Sequence, residues 1–399
     1  MFVDVEYMKR QYWTIIISTL CTILLISVNS AEMAAAQQQP DQFRSYLQLG
    51  IKKAFNLEFP EANVYLQKAV EVDPENPTGY AYLAMTNLFA YEMSFDENIR
   101  KINQDSMLHY VDETLARGEK RMGKNPKDSN AYLAMAMAKF TKFNWLNRQK
   151  QYFNMAREAS SIWEYLEKAR ESDPQNFDIY FLMGSFRYHI DHLPGLTRFF
   201  SSLIVTSGDR QKGLQELELA AQKGDLLKQL AMSELSSDYL NFEKQPARAL
   251  PLILELKEFF PNNYNFTFAL GNALSDLHRS DDAFNIAREL EKNIRAGLPP
   301  FAPQLEPRYD QLMGRIFFTQ GNYAKAEEYF QKALKDTNLY NARVRAWSFL
   351  RLGMISDIRN DRKKAEAYYS NALEVKGGEG TAQIEAKKYL DTPYVPPKL

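Results

Sequence analysis

The stretch GRIFFTQGNYAKAEEYFQKA, residues 314–333, decides the fold. Gly314, Phe317, Gly321, Ala326, Phe330 and Ala333 fall along it at the three- and four-residue spacings of helix faces, with a glycine turn in the middle. The pattern predicts a helix, a tight turn and a second helix. A small residue is needed where the two helices of a unit cross closely, and a large apolar residue one turn on fills the next gap. The same order returns in the next unit as Leu352, Gly353, Ala365, Tyr369 and Ala372. Upstream, Ala249, Ile253 and Pro261 lead into Leu270, Gly271, Leu274, Ala283 and Ala287, with a 34-residue step from Ala249 to Ala283. At the other end Tyr46, Leu49 and Gly50 return 34 residues later as Tyr80, Leu83 and Ala84. Ala62, Leu66, Ala69 and Pro74 complete that first unit, and the proline ends its second helix. Helical periodicity runs from about Phe43 to Leu390, and alternating Val/Ile/Thr runs of the strand kind are missing. An all-α solenoid of stacked helix-turn-helix units is expected.

Spacing of this kind resembles the tetratricopeptide-repeat (TPR) family, whose loose consensus has small residues at positions 8, 20 and 27 and proline at 32. The resemblance covers most of residues 43–379, in about eight units. It implies a TPR-type α-solenoid that is irregular and lengthened in the middle. Ala84, Ala134 and Gly184 stand 50 residues apart each time, and Asp73-Pro74 reappears as Asp173-Pro174, each proline followed six residues later by a tyrosine, Tyr80 or Tyr180. Lengthened helices in the second and third units account for the extra residues. The fourth unit is interrupted at 192–209, and such insertions often lie on the binding side of repeat arrays. These features divide the chain into 43–226, with the lengthened helices, and 227–390, with the regular units. A 37–42 linker precedes them and a proline-rich tail, 391–399, follows.

The N-terminal residues differ. Lys9 and Arg10 precede an apolar run from Thr14 to Val28, and small residues then lead to Ala34-Ala35-Ala36. A signal peptide over 1–36 is expected, with Gln37 as mature start. Cleavage after Ser30 and an uncleaved anchor built from 14–28 are the alternatives. Cys21, the single cysteine, lies within this run, and Leu20 and Ser18 before it do not fit a lipoprotein signal. Cleavage therefore leaves no thiol for a disulfide, a nucleophile or a zinc site. The location expected is the periplasm or cell envelope, with membrane contact only through the N-terminal segment if it is retained.

Lys and Arg number 49 against 50 Asp and Glu, a formal charge of -1. A balanced chain exerts no long-range pull on phosphate backbones, so nucleic acid is not an expected partner. Three sites invite chemistry. His189, Asp191 and His192 form the sharpest polar cluster, and a metal-dependent enzyme centred on them is one alternative reading. Pro194-Gly195 ends the helix just afterwards, where histidines also serve the free carbonyls and the dipole. Gly208 to Gly213 superficially suggests a phosphate loop, but Leu214 and Gln215 follow where Lys and Ser/Thr are required, so a helix start with Gly213 at the crossing position is expected. The apolar run Leu196 to Val205 is expected to fold over the solenoid's edge. No Ser/His/Asp arrangement is present, and neither a cofactor nor a metal is expected.

In the TPR family the inner groove is lined by first-helix positions 2, 5, 9 and 12. The resemblance places Phe181 and Tyr188, with Asp178 and Ser185, at these positions in the fourth unit. Asn265, Phe268 and Asn272 take them in the sixth, and Arg308, Gln311 and Arg315 in the seventh. Asparagines suit a peptide backbone, phenylalanines an apolar side chain and the arginines a carboxylate. The family's Lys/Asn clamp for a C-terminal carboxylate is not supported, because Asn272 is paired with Phe268. The function implied is a non-catalytic scaffold or adaptor for a protein or peptide partner. A ligand-capturing accessory of an envelope transport system is the other binding reading.

Overall fold

The structure, a computed structural model, describes residues 40–190, 209–297 and 299–396, so the expected signal segment and the apolar run 196–205 lie outside the described residues. All regular structure among these residues is helical. The helices are α1 (40–55), α2 (Phe59–Val72), α3 (Pro77–Met93), α4 (Glu97–Lys124), α5 (Ser129–Arg148), α6 (Tyr152–Ser172) and α7 (Ile179–Ile190). After the undescribed 191–208 come α8 (Arg210–Lys223), α9 (Lys228–Asn241), α10 (Pro246–Phe259), α11 (Tyr264–Asp276) and α12 (Ser280–Ala296). The chain ends with α13 (Glu306–Thr319), α14 (Tyr323–Ala333), α15 (Ala342–Ile358), α16 (Arg362–Glu374) and α17 (Thr381–Asp391). Successive pairs from α1/α2 to α15/α16 form antiparallel hairpins stacked side by side, and α17 covers the last one.

The extra residues of the middle units extend the helices themselves. α4, α5 and α6 have 28, 20 and 21 residues, where α14 and α16 have 11 and 13. Each hairpin closes where a small residue lets two helices touch. A Cβ on Gly314 would lie 2.6 Å from Phe330, and one on Gly353 2.4 Å from Tyr369. In the fourth hairpin two glycines face one another: a Cβ on Gly184 would meet the Gly213 carbonyl at 2.8 Å, so α7 and α8 pack backbone against backbone there. Asp209 caps α8, its carboxylate accepting from Lys212 N at 2.9 Å. The 209–213 segment is thus a helix start with a crossing glycine.

The turns repeat as well. Leu57, Lys150, Lys244, His278, Gly321 and Asn360 each hold a positive φ between the two helices of their hairpin. Outside the hairpins, Tyr80, Tyr132 and Tyr180 each donate their hydroxyl to the carbonyl of the proline six residues earlier, at 3.3 to 3.4 Å. This contact spans the turn by which one unit passes to the next. Three apolar clusters form the core of the described residues: one from Leu47 in α1 to Ile316 in α13, a second from Phe318 to Ala386, and a small third of Ala84, Leu88, Met107, Val111 and Ala138 across α3, α4 and α5. Packing therefore changes between the faces of α13.

The stack also closes on itself. Arg44 pairs with Asp225 at 2.5 Å, and Asn263 donates to the Phe55 carbonyl at 2.7 Å. Tyr340 donates to Glu97 at 2.6 Å while its ring meets Phe95 edge-on at 5.5 Å. Lys150 pairs with Glu379 at 2.6 Å and Lys244 with Glu385 at 2.5 Å. The superhelix brings its first hairpins against its later ones, so its inner helix faces look into the molecule.

Candidate binding surface on the inner helix faces

The expected groove residues separate into two neighbourhoods. In the fourth hairpin Phe181 and Tyr188 are buried, at 4% and 0% exposure, so neither lines an open groove. Phe181 belongs to the core between hairpins. Tyr188 donates to Glu243 at 2.6 Å, and Arg210 also holds that carboxylate at 2.7 Å. Burial first, then the hydrogen bond to Glu243, raises the Tyr188 pKa. Asp178 accepts backbone N–H bonds from residues 225, 226 and 227 at 2.7 to 3.1 Å, which caps the turn into α9. These are structural duties, imposed because the hairpin crossing and the next unit take up the inner face of α7.

The sixth and seventh units do come together. Asn265, Phe268, Asn272 and Asp276 share a face of α11, and Arg308, Gln311 and Arg315 share a face of α13. Arg308 donates to the Asn265 amide oxygen at 2.6 Å, and its guanidinium lies 4.3 Å above the Phe268 ring. No carboxylate among the described residues pairs with it. Burial in this apolar wall pushes its pKa down to about 10, so it is still a cation at neutral pH. Gln311 and Phe268 are buried, while Asn265 and Asn272 are half-buried. The Asn272 amide oxygen accepts no hydrogen bond. Arg315 was expected to meet a partner's carboxylate. It meets Asp276 of its own chain instead, Nε to Oδ1 at 2.9 Å with a second parallel bond.

Around that pair lie groups the groove register did not supply. Trp347 on α15 has three cations over it: Lys244 at 5.6 Å, Arg351 at 5.7 Å and Arg315 at 5.9 Å from its centroid. Arg351 also lies 4.9 Å from the Phe318 ring, has no carboxylate partner among the described residues, and keeps a buried Nε without an acceptor. Burial lowers the Arg351 pKa, and Arg315 nearby lowers it further. Lys244 is lowered by burial as well, against the pull of Glu385. Three cations, Lys244, Arg315 and Arg351, thus face two carboxylates, Asp276 and Glu385, with Arg308 two turns away along α13. The surface suits an anion flanked by an apolar or aromatic group.

The register could have found Trp347. It stands six residues before Gly353, as Arg308 stands six before Gly314 and Asn265 six before Gly271. Arg351 and Lys244 carry no such signal, one lying off the register and the other in a turn. His189 lies near the end of α7, while its expected companions Asp191 and His192 lie outside the described residues. The carboxylates it meets belong to α9: Glu234 at 3.3 Å and Asp238 at 3.6 Å. No helix among the described residues is long and apolar enough to cross a membrane.

Comparison with known proteins agrees with the helical hairpins. Residues 311–335 match the family model described as tetratricopeptide repeat. No curated protein matches the sequence. Solved structures similar to this chain include Pseudomonas aeruginosa PilF, at 15% identity over 88% of this chain and 99% of that one, with a TM-score of 0.25. Human IFIT1 is similar at 14% over 88% and 85%, with a TM-score of 0.43. Yeast Tom70 is similar at 12% over 90% and 83%, with a TM-score of 0.36. Likenesses of this size say nothing of what the chain binds.

Proposed function

From the premise that this chain is a tetratricopeptide-repeat protein, we propose that it is a non-catalytic scaffold that binds a partner protein through an acidic segment. Solenoids hold side chains in fixed relation over long surfaces, which suits recognition rather than bond-making. The observation that carries the reading is the pair of guanidinium groups, Arg308 and Arg351, set on aromatic faces without a carboxylate of their own. An arginine held this way has lost little of its capacity for a bidentate bond to an incoming carboxylate. The N-terminal pattern of Lys9, Arg10 and the 14–28 apolar run places this work outside the cytoplasm in our reading, with the chain periplasmic or attached to the envelope.

The test is crosslinking in intact cells followed by mass spectrometry, with wild type beside the double variant Arg308→Gln, Arg351→Gln. A partner recovered with wild type should be lost about tenfold or more from the variant, because each bond between charged groups contributes about 1.5–3 kcal/mol. Equal recovery from a folded double variant would remove these arginines from the interface. Small hydrophobic compounds co-purifying in place of a protein would favour the transport accessory.

A further inference from the structure

We propose that His189, Glu234 and Asp238 form a binding site for one divalent transition-metal ion, separate from the cationic inner surface. Glu234 and Asp238 are four residues apart on α9, so their carboxylates project from one face of that helix. His189 reaches them from the last turn of α7. One ligand atom from each residue can be chosen so that all lie within 4.8 Å of one another. His189 Nε2 stands 3.3 Å from Glu234 Oε1 and 3.6 Å from Asp238 Oδ1. Bonds of about 2.0–2.2 Å in a tetrahedron place neighbouring ligand atoms about 3.3 Å apart, so the two edges from the imidazole already stand near what such an ion requires, and the carboxylate–carboxylate edge lies within 4.8 Å.

The surroundings call for a cation. Asp238 is 1% exposed and its Oδ2 accepts no hydrogen bond; Glu234 Oε1 accepts none either. A buried acceptor left bare is unfavourable, and two carboxylates this close are more so. Protonating His189 would supply one positive charge against two negative. A dication with a neutral imidazole balances both. The nearby Arg210 cannot serve, since it is bonded to Glu243, which Tyr188 also holds. The Tyr188 ring, 4.9 Å from the imidazole, and the Phe242 ring, at 5.8 Å, flank the histidine edge-on.

One nitrogen and two carboxylate oxygens select against calcium and magnesium, which take oxygen ligands throughout, and suit zinc, cobalt or manganese. Three protein ligands leave a position for water or for a group from a partner. The site sits where α7, α9 and the fifth hairpin meet. There an ion would tie one unit to the next across the irregular middle.

The probe is zinc itself, added to chelator-treated full-length protein and followed by calorimetry and thermal melting. Wild type should bind a single equivalent and melt higher with zinc. His189→Ala and Asp238→Asn should each weaken zinc binding by about 100-fold or more, beyond what loss of an outer-shell partner does. Asp238→Asn keeps the shape of the side chain and removes a buried charge, so its apo form should melt no lower than wild type; failed binding there is not failed folding. Cobalt should give the intense visible bands of a four-coordinate site in wild type and not in Asp238→Asn. Zinc binding unchanged in both variants, or no zinc-dependent rise in melting of wild type, would overturn the site. Neither result bears on whether the inner arginines bind a partner.

Discussion

Two buried arginine–carboxylate pairs, Arg187 with Glu216 between α7 and α8 and Arg315 with Asp276 between α13 and α11, differ in what surrounds them. Glu216 has one oxygen bonded to Arg187 and the other, Oε2, without a donor. Burial dominates, and the Glu216 pKa is raised despite Arg187, Lys212 and Arg170. Burial pushes Asp276 upward too, but both its oxygens are bonded to Arg315, and Arg351 and Lys244 add their fields. Its pKa is lowered. The lesson is that a charge pair's worth is set by bonding completeness and by the charge left over nearby. Three cations surround each carboxylate, so what separates the two pairs is the oxygen of Glu216 left without a donor.

The comparison can be broken most forcefully at Asp276. Asp276→Ala strands Arg315, which is 6% exposed at its side chain, among other cations. A loss of about 3–5 kcal/mol in denaturant-measured stability is expected, and a loss below that of Glu216→Ala would reverse the ranking. Glu216→Ala should be milder, about 1–3 kcal/mol, because the ionised carboxylate is already disfavoured and Arg187 keeps its place 4.7 Å over Trp163. Their pH responses should run in opposite directions. The lowered Asp276 contributes stability above its unfolded pKa, and this is lost as pH falls through the folded value. The raised Glu216 contributes stability below its unfolded pKa, and this is lost as pH rises through the folded value. Stability curves of Asp276→Asn and Glu216→Gln against wild type should therefore diverge with opposite slopes, and parallel curves would remove the distinction. Arg308→Gln is the smallest change expected in stability: loss of the contact with the Phe268 face and of the bond to Asn265, about 1 kcal/mol in thermal melts, even where partner binding fails.

What was legible in the sequence is what repeats locally. The small and large positions of the units, Gly314 and Phe330 or Gly353 and Tyr369, follow from spacing alone, as do the lengthened helices between Ala84 and Gly184, because hairpin packing is decided within about one repeat. Inner-surface positions were legible as a register, and it brought Asn265, Phe268 and Arg308 together. It failed where it could not know the neighbours. Arg315 finds Asp276 from 39 residues away, and His189 finds carboxylates on α9. Such partners depend on superhelical curvature, the sum of many small rotations between units, which no single repeat encodes. The burial of Phe181 and Tyr188 has the same origin.

The contacts that close the superhelix have a consequence for how the chain folds. An open repeat array has low contact order: each unit meets only its neighbours, so it can nucleate anywhere and fray from either end. Here Tyr340 reaches Glu97 across 243 residues and Lys150 reaches Glu379 across 229. These links form only after nearly the whole array is in place. They make the last step of folding a slow ring closure, and they bind the two ends into one cooperative unfolding unit.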